Sequence, residues 1–214
     1  MAIREVLHLL EQEYGPREWR SDADPIDVLI ETILSQNTSD VNSARAFASL
    51  KASFHSWAAV ASAPVEGIAP ALKPGGLHRI KADRIKRVLQ QIRHEQGRIN
   101  LDSLRPLNMT EAEDYLLRLP GVGQKTARCV LLFSLAKPSL PVDTHIFRVA
   151  KRLGLIGPRT TIEKAAELLQ EQTPASKVYQ FHVHMIEHGR RVCHARQPQC
   201  CDCVLRSICP SSFC

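Results

Sequence analysis

The stretch LPGVGQKTA, residues 119–127, connects two segments of helical periodicity and decides how the middle of the chain folds. Apolar residues at helical spacing precede it, and a second apolar stripe begins at Ala127. Gly121 and Gly123 can adopt positive φ angles and let a bulky group approach the backbone. Backbone N–H groups beside a helix N-terminus can point at a phosphate. The stretch therefore predicts either an ordinary tight turn between packed helices or a helix-hairpin-helix motif that contacts a DNA backbone.

The rest of the chain also favours helices. Apolar stripes at helical spacing run through residues 3–10, 26–34 and 85–92. Asp24 followed by Pro25 is typical of a cap and first helical turn. Further helix starts are predicted by two capping-box spacings and one Thr-Pro pair, namely Thr110 with Glu113, Thr160 with Glu163, and Thr173-Pro174. No segment shows sustained alternation, so the sequence predicts an all-α fold.

The composition bounds the class of protein. A chain of 214 residues, 44% of them hydrophobic, can form one or two domains with a sizeable core. Its formal net charge of +6 favours an anionic partner, nucleic acid first, although such a surplus is also typical of a solvated surface. The sequence carries no signal-peptide pattern and no apolar run long enough for a bilayer, so we expect a cytoplasmic protein with no membrane partner.

Two residues suggest a reaction centre. Lys125 lies just inside the helix after the turn, where a cation opposes the helix dipole and the neutral, nucleophilic amine is favoured. Asp143 precedes another predicted helix, where its ordinary role is an N-cap and where the same position keeps the carboxylate ionised. An amine and a carboxylate that share a cleft can serve glycosidic chemistry, but their spacing does not show that they meet.

Four cysteines near the C-terminus form a complete ligand set for one metal centre. The spacing C-x6-C-x2-C-x5-C is formed by Cys193, Cys200, Cys203 and Cys209. Cys201 lies between two of them but does not fit this spacing. Structural zinc and iron–sulfur clusters both use four thiolates, so the spacing leaves the metal open. We expect no ligand role for the remaining cysteines: Cys129 should lie in the core and Cys214 should be a terminal thiol. Three histidines of one predicted helix, His182, His184 and His188, should serve packing and hydrogen bonding.

Three segments together resemble the endonuclease III family. They are LPGVGQKTA, then VDTHIFRV at residues 142–149, then HGRRVC at residues 188–193 with the cysteine spacing. This family comprises base-excision DNA glycosylases of the helix-hairpin-helix superfamily that carry a [4Fe–4S] cluster. The resemblance covers roughly residues 1–210. It implies a six-helix barrel domain at residues 22–133, a cluster domain formed by residues 1–21 and 134–214, and a DNA-binding cleft between them.

The resemblance also implies a reaction. Lys125 matches the family's nucleophile, which displaces the base, forms a Schiff base with the deoxyribose and allows β-elimination. Asp143 matches the essential acidic residue. The implied substrates are oxidised pyrimidines in double-stranded DNA, and abasic sites, which a nucleoid-associated monomer would process after the base has been flipped out. The four spaced cysteines match the ligands of a cluster that is structural or positions DNA.

Further residues match DNA contacts of the family. Leu77 matches a wedge that fills the gap left by the flipped base. Either Gln36 or Asn37 would be the second plug, and both are also ordinary residues for a helix end or a turn. The hairpin residues Gly121, Val122 and Gly123 are also expected to contact DNA. His78 and Lys81 belong to a basic run that is equally consistent with solvated surface. The last two expected contacts are His145 and Arg196.

Two alternatives remain open from the sequence. Glu31 lies roughly where adenine-specific glycosylases of the superfamily place a catalytic glutamate, so a mismatch glycosylase acting on adenine or thymine is a minor alternative. A non-catalytic DNA-binding metalloprotein that has kept only the scaffold is the other. The presence of both Lys125 and Asp143 argues against the second alternative.

Overall fold

The computed structural model describes residues 3–213, and the chain divides into two compact units. One unit is Arg20–Lys137, which contains the predicted barrel range 22–133, and the other joins Met1–Trp19 to Pro138–Cys214. No strand occurs between residues 3 and 213, so the predicted all-α fold is confirmed for this part of the chain. None of its helices combines the length and the apolar composition that a membrane span needs.

The helices follow one another with short connections. In chain order they are α1 (Ile3–Tyr14), α2 (Pro25–Ser35), α3 (Asp40–Ser53), α4 (Trp57–Ser62), α5 (Val65–Ile68), α6 (His78–Gln96), α7 (Met109–Leu117), α8 (Gln124–Ser134), α9 (Thr144–Arg152), α10 (Ile162–Gln172) and α11 (Val178–Arg191). Three 3₁₀ helices lie at Ala69–Gly75, Asp102–Leu104 and Ala175–Lys177.

Helix α2 runs through the core of the Arg20–Lys137 unit. The Asp24 carboxylate caps it by accepting the N–H groups of Ile26 and Asp27 at 2.8 and 3.0 Å, as the sequence predicts. Pro25 occupies the first turn, where a missing N–H costs nothing. The apolar residues of α2 share one core with those of α8, including Leu29, Ile30, Ile33, Leu34, Ala127, Val130 and Leu131. Burial of both helices fixes where the α8 N-terminus lies in this unit.

The capping box predicted at Thr110 and Glu113 is wrong by two residues. Asn108 is the cap of α7: its side chain accepts the N–H of Glu111, whose carboxylate in turn accepts the Asn108 N–H. An asparagine and a glutamate three residues apart make the same reciprocal bonds as the predicted pair. Glu113 therefore lies inside the helix and forms an ion pair with Arg128 of α8.

Two other predicted helix starts also differ from the structure. Thr161, rather than Thr160, caps α10 by accepting the Lys164 N–H at 3.3 Å. Thr173 ends α10: its backbone is extended, as the following proline favours, and its hydroxyl donates to the carbonyl of Leu169 at 2.6 Å. Helix α11 accordingly begins only at Val178.

The turn between α7 and α8 is tight and well packed. The Val122 N–H donates to the Leu119 carbonyl at 3.1 Å, and the Val122 side chain is buried in the core. Gly121 has a φ of +74°, which L-residues adopt only with strain. A Cβ on Gly121 would lie 2.3 Å from Nε of Arg84, so this guanidinium group packs directly on the glycine. The positive φ favours glycine here, and a Cβ would in addition displace the Arg84 side chain.

The two glycines of this turn provide a matched pair of substitutions. We expect Gly121→Ala to lower the free energy of unfolding by roughly 2 kcal/mol, because it adds both backbone strain and a clash with Arg84. Gly123 has an extended backbone (φ −98°) and open space around it, so Gly123→Ala should change stability by less than about 1 kcal/mol. Urea denaturation of both variants measures the difference. Equal losses in the two variants would contradict this account of the turn.

Candidate active site and metal centre

The hairpin presents unpaired backbone donors at the start of α8. Gly123 is the N-cap of this helix and has no side chain to bond the first-turn N–H groups. Gly121 and Gly123 are both exposed, whereas Val122 anchors the turn in the core. An anion can therefore approach the N–H groups of the first turn, where the helix dipole also favours negative charge. The arrangement has the geometry and the charge of a phosphate-binding turn.

Arg84 and Gln36 contact the hairpin from α6 and from the end of α2. The Arg84 guanidinium donates to the side-chain oxygen of Gln36. The Gln36 amide donates to the Thr126 hydroxyl of α8 at 3.4 Å. The neighbouring Asn37 is exposed and has a φ of 54°, in the left-handed region. Of the two amides considered for the plug, Gln36 is thus bound within this unit and Asn37 extends from its surface.

A nearly buried ion pair joins the two helices of the hairpin. Nε of Arg128 lies 2.9 Å from the Glu113 carboxylate, and the two side chains are only 10% and 17% exposed. The carboxylate compensates the charge of Arg128 in a place with little water. The pair therefore fixes α8 against α7.

Lys125 is exposed in the first turn of α8. It lies two residues beyond Gly123, on the helix whose start is fixed by the contacts of Arg84 and Arg128. Its position combines an accessible amine with an adjacent anion-binding turn. This is where a nucleophile for a phosphate-bearing substrate can operate.

Asp143 and His145 belong to the other compact unit. Asp143 is half-buried and caps α9 by accepting the Ile146 N–H at 2.8 Å, as its sequence context predicts. Nδ1 of His145 lies 3.1 Å from Nη2 of Arg148, which also donates to the carbonyl of Gly189 at 2.8 Å. His145 is therefore held against the last turns of α11.

Leu77 is an exposed apolar residue in a costly backbone conformation. Its φ is 47° and it is 51% exposed at the start of α6. A non-glycine residue in the left-handed region costs about 1–3 kcal/mol, and such strain is concentrated at functional sites. His78 follows it and is half-buried, and Ile80 is also exposed. An apolar side chain projecting from a strained turn is suited to insertion into a partner.

The structure contradicts the prediction that Lys81 contacts DNA. Lys81 is 2% exposed, and its ammonium group donates to the carbonyls of Leu34 and Gly75 at 2.7 and 2.8 Å. Burial, with a smaller contribution from Arg84, lowers its pKa. The basic run therefore does not form one phosphate-binding face, because the side of α6 that carries Lys81 is turned toward the core. Lys81 instead ties the end of α2 to the 3₁₀ helix before α6.

Glu31 lines a concavity on the surface of the Arg20–Lys137 unit. The concavity is also lined by Thr32, Ser35, Cys129 and Phe133. Partial burial raises the pKa of Glu31, and the negative charge of Asp27 adds to the effect. Cys129 itself is buried in the core, as predicted. A carboxyl group with a raised pKa in a concavity can bind or protonate a polar ligand.

The four spaced cysteines converge on one cavity. Cys193, Cys200, Cys203 and Cys209 are free thiols, and all four line the same pocket. Burial raises the pKa of Cys203, and the charges of the other three sulfurs raise it further. Burial likewise raises the pKa of Cys209. The donor set thus consists of four soft ligands within electrostatic reach of one another, which fits a thiolate-bound metal centre.

Other features around these cysteines define the site further. Cys201 is disulfide-bonded, and the predicted terminal thiol Cys214 lies outside the described residues. Between residues 3 and 213, no three His, Cys, Asp or Glu side chains are grouped closely enough to hold a single metal ion. Arg196 is exposed in the first loop between the spaced cysteines. Unlike the buried Lys81, the Arg196 side chain is therefore accessible to a ligand.

Hydrogen-bonding side chains surround the cysteine cavity. Nη1 of Arg152 lies 3.2 Å from Sγ of Cys193. Nε2 of His188 lies 3.5 Å from Sγ of Cys203, and Nδ1 of the same ring lies 2.9 Å from the Tyr14 hydroxyl. Burial lowers the pKa of His188 to about 4.

Packing and hydrogen bonding by the other two histidines are also confirmed. Nδ1 of His182 bonds the Pro141 carbonyl and Nε2 of His184 bonds the Gly15 carbonyl, each at 2.9 Å.

Several residues of the site escaped the sequence analysis. Tyr14 and His188 are 174 positions apart, and no local pattern pairs them. Arg152 lies outside every motif of the sequence, although its position in the last turn of α9 is one where a cation is favoured. Arg84 belongs to the basic run that follows Leu77, where a phosphate contact rather than a contact with the hairpin is the expectation, and Arg128 carries no motif of its own. Only their helical register indicates which face they occupy.

Comparison with known proteins identifies the family. The family described as "HhH-GPD superfamily base excision DNA repair protein" matches residues 30–175. A protein of Arabidopsis thaliana named as a candidate DNA glycosylase is 39% identical over 77% of this chain, which spans only 56% of that protein's length. Endonuclease III of Thermotoga maritima is 36% identical over 88% of this chain and 84% of its own length.

Solved structures agree with these relatives. A non-covalent complex of endonuclease III with DNA matches with a TM-score of 0.85 and 27% identity, covering 98% of this chain and 94% of the other. A trapped covalent intermediate of endonuclease III with DNA has the same TM-score and identity, with 98% and 95% coverage. A thermostable thymine-DNA glycosylase is 21% identical with a TM-score of 0.81, which shows a shared fold. The chain therefore belongs to the HhH-GPD superfamily of base excision DNA repair proteins and, within it, to the endonuclease III family.

Proposed function

We propose that this protein is a bifunctional DNA glycosylase and abasic-site lyase that removes oxidised pyrimidines from double-stranded DNA. The observation that carries the proposal is the exposed amine of Lys125 beside a turn built to bind phosphate. Its similarity to endonuclease III in complex with DNA, including a trapped covalent intermediate, supports a covalent mechanism. We infer that it acts inside the cell, associated with the nucleoid, and as a monomer.

The proposed reaction begins with nucleophilic displacement. The neutral amine of Lys125 attacks C1′ of the damaged nucleotide, and the C1′–N bond breaks with its electron pair leaving on the base, which is protonated. The deoxyribose ring then opens to a Schiff base between Lys125 and C1′. Loss of a C2′ proton expels the 3′ phosphate by β-elimination, and water hydrolyses the Schiff base to release the lysine.

In this proposal Asp143 supplies charge rather than a bond. Its carboxylate would stabilise the positive charge that develops on the sugar as the base departs, because opposite charges attract strongly in a site with little water. The N-cap hydrogen bond that the Asp143 carboxylate accepts from the Ile146 N–H orients the side chain.

The proposed DNA contacts follow from exposure. Gly121 and Gly123 of the hairpin would bind a backbone phosphate through main-chain N–H groups, whereas the Val122 N–H is already bonded to the Leu119 carbonyl and Val122 would support the turn from the core. Leu77 would be the wedge, because it is exposed and held in a strained turn. Asn37 would be the second plug rather than Gln36, whose amide is already bonded within its own unit. His78, His145 and Arg196 remain candidates for phosphate contact.

We propose that the four spaced cysteines hold a [4Fe–4S] cluster. Four free thiols that line one cavity, with donors directed at two of their sulfurs, support a thiolate-ligated centre. When bound, the cluster would join the loop of residues 193–209 to α9 and α11 and so position this unit on DNA. Zinc is the alternative, since it uses the same ligands.

One observation favours a second candidate function. Glu31 has a raised pKa and lines a concavity, as a general acid of an adenine glycosylase would. The exposed lysine favours the lyase over this mismatch glycosylase, and release of adenine from an adenine·8-oxoguanine duplex would reverse that preference. A scaffold without catalysis would bind lesion-containing duplexes and turn over none of them.

Borohydride reduction tests the proposed nucleophile. On duplex DNA with thymine glycol, the wild-type protein should form a covalent adduct that survives denaturing electrophoresis. Lys125→Ala should abolish the adduct. Lys125→Arg should do so too, because a guanidinium stays protonated and cannot form the imine.

Lys164→Ala is the matched control for this experiment. Lys164 is an exposed lysine that forms an ion pair with Glu167 on α10. It should trap DNA like the wild type. Undiminished trapping by Lys125→Ala would refute the assignment of the nucleophile.

Substitution of the adjacent amides Gln36 and Asn37 tests which of them pairs with the orphaned base and which only stabilises the fold. Asn37→Gly, which removes the amide but keeps the left-handed conformation accessible, should alter the ratio of thymine glycol excision opposite adenine and opposite guanine with little change in stability. Gln36→Ala should lower the free energy of unfolding by about 1 kcal/mol, because it removes the bonds to Arg84 and Thr126. Single-turnover kinetics and urea denaturation of both variants give the two readouts. The reverse assignment of effects would show that Gln36 is the plug.

Metal analysis tests the cofactor. The purified protein should be brown and contain about four iron atoms and four acid-labile sulfides per chain. Cys200→Ser should lose most of the iron, whereas Cys201→Ser, one position away, should retain it. One zinc ion per chain and no sulfide in the wild type would contradict the proposed cluster.

A further inference from the structure

A chain of three side chains runs from α1 to the cysteine cavity. Tyr14 is the last residue of α1, His188 lies in the last turn of α11, and Cys203 is one of the four spaced cysteines. The Tyr14 hydroxyl lies 2.9 Å from Nδ1 of His188, and Nε2 of the same ring lies 3.5 Å from Sγ of Cys203. His188 is 1% exposed, so no solvent competes for either nitrogen.

The direction of both hydrogen bonds follows from the proton inventory. A phenol donates one hydrogen, and an imidazole nitrogen that bonds a group able only to accept must carry an N–H. A sulfur that ligates a metal is a thiolate and can only accept. The arrangement in which each group is satisfied is therefore Tyr14 O–H donating to Nδ1 of His188 and Nε2–H donating to Cys203.

Other contacts hold Tyr14 in place. The Arg191 guanidinium lies over its ring at 5.2 Å from the centroid. Arg191 in turn bonds Glu187 at 2.9 Å, and Glu187 also bonds Arg17 at 2.8 Å. Tyr14 itself is 8% exposed. The phenol is thus fixed by its surroundings, and through it the orientation and the tautomer of His188 are fixed as well.

We propose that His188 is a positioning residue that donates a hydrogen bond from Nε2 to the Cys203 thiolate, with Tyr14 selecting the required tautomer, and that this bond raises the reduction potential of the bound cluster. Hydrogen bonds to ligand sulfurs withdraw electron density and favour the more reduced state of an iron–sulfur centre. The proposal rests on the iron–sulfur cluster proposed above. It does not depend on the lyase reaction.

Substitutions at His188 and Tyr14 test the bond. The potential of the cluster is measured by voltammetry of the holoprotein on a DNA-modified electrode. His188→Phe, which keeps a ring but has no donor, should shift the potential to more negative values. Tyr14→Phe should cause a smaller shift in the same direction, because the ring remains but its tautomer is no longer selected. His188→Gln, whose amide can donate, should recover part of the wild-type value.

His184→Phe is the matched control. His184 is buried on the same face of α11, four residues earlier, and its ring lies 6.0 Å from that of Tyr14, nearly the same distance as the 6.1 Å of His188. Its Nε2 bonds the Gly15 carbonyl rather than a sulfur. His184→Phe should therefore retain the wild-type potential even if it lowers stability.

A second readout does not depend on the potential. Resonance Raman spectra of the Fe–S stretching region should shift between H₂O and D₂O in the wild type, and this isotope shift should diminish in His188→Phe. The mild Tyr14→Phe variant still tests the proposal if His188→Phe does not retain the cluster. Unchanged potentials in both variants, or an isotope shift in His188→Phe as large as that of the wild type, would overturn the proposed bond.

The metal content of the wild type separates the two proposals. Zinc in place of iron would overturn both the cluster and the role of His188. Borohydride trapping would then still decide the lyase reaction independently.

Discussion

The packing of the Arg84 guanidinium on Gly121 is the contact on which the candidate active site depends. It requires a residue without Cβ in a left-handed conformation, and it places the turn where α7 and α8 can both bury their apolar faces. Gln36 extends the same contact to the end of α2 and to Thr126. Lys125 is the second residue of α8, directly after this turn. Contacts made by Arg84, Gln36 and Thr126 therefore fix its position.

The same helix start serves two chemical purposes. Its unpaired N–H groups and dipole attract an anion, and its first turn carries an exposed amine. A bound phosphate beside Lys125 would hold the sugar of a neighbouring nucleotide near that amine. Positioning of this kind accounts for a large part of the rate of a displacement at carbon. The Arg128–Glu113 ion pair makes the arrangement rigid, because it is shielded from water and joins both helices of the hairpin.

The cysteine-bearing unit depends on contacts between distant parts of the chain. Helix α1 meets α11 through Tyr14 and His188, and the carbonyl of Gly15 meets His184. Arg148 and Arg152 of α9 donate to the carbonyl and the sulfur of Cys193. Each of these bonds satisfies a polar group away from solvent, so removal of one partner leaves a costly unpaired atom. The N-terminal helix is thereby a structural part of the C-terminal unit.

Much of this could be predicted from the sequence, because the signals are local. The apolar stripes of α2 and α6, the Asp24 cap, the Asp143 cap and the glycine turn each follow from periodicity or from residues a few positions apart. The capping boxes failed at Thr110 and Thr160 because neighbouring residues offer competing side chains. The prediction of a DNA contact for Lys81 failed because a charged side chain is expected to be exposed. Here two backbone carbonyls accept hydrogen bonds from the ammonium group and allow it to be buried. Arg84 on Gly121 and Tyr14 with His188 could not be predicted, because they depend on how separate helices meet.

Peptide mapping of the borohydride-reduced DNA adduct tests the central claim most directly. After nuclease and protease digestion, mass spectrometry should find the sugar remnant on the ε-nitrogen of Lys125, in the peptide that follows the hairpin. A remnant on the N-terminal amine or on another lysine, with Lys125 unmodified, would contradict the account.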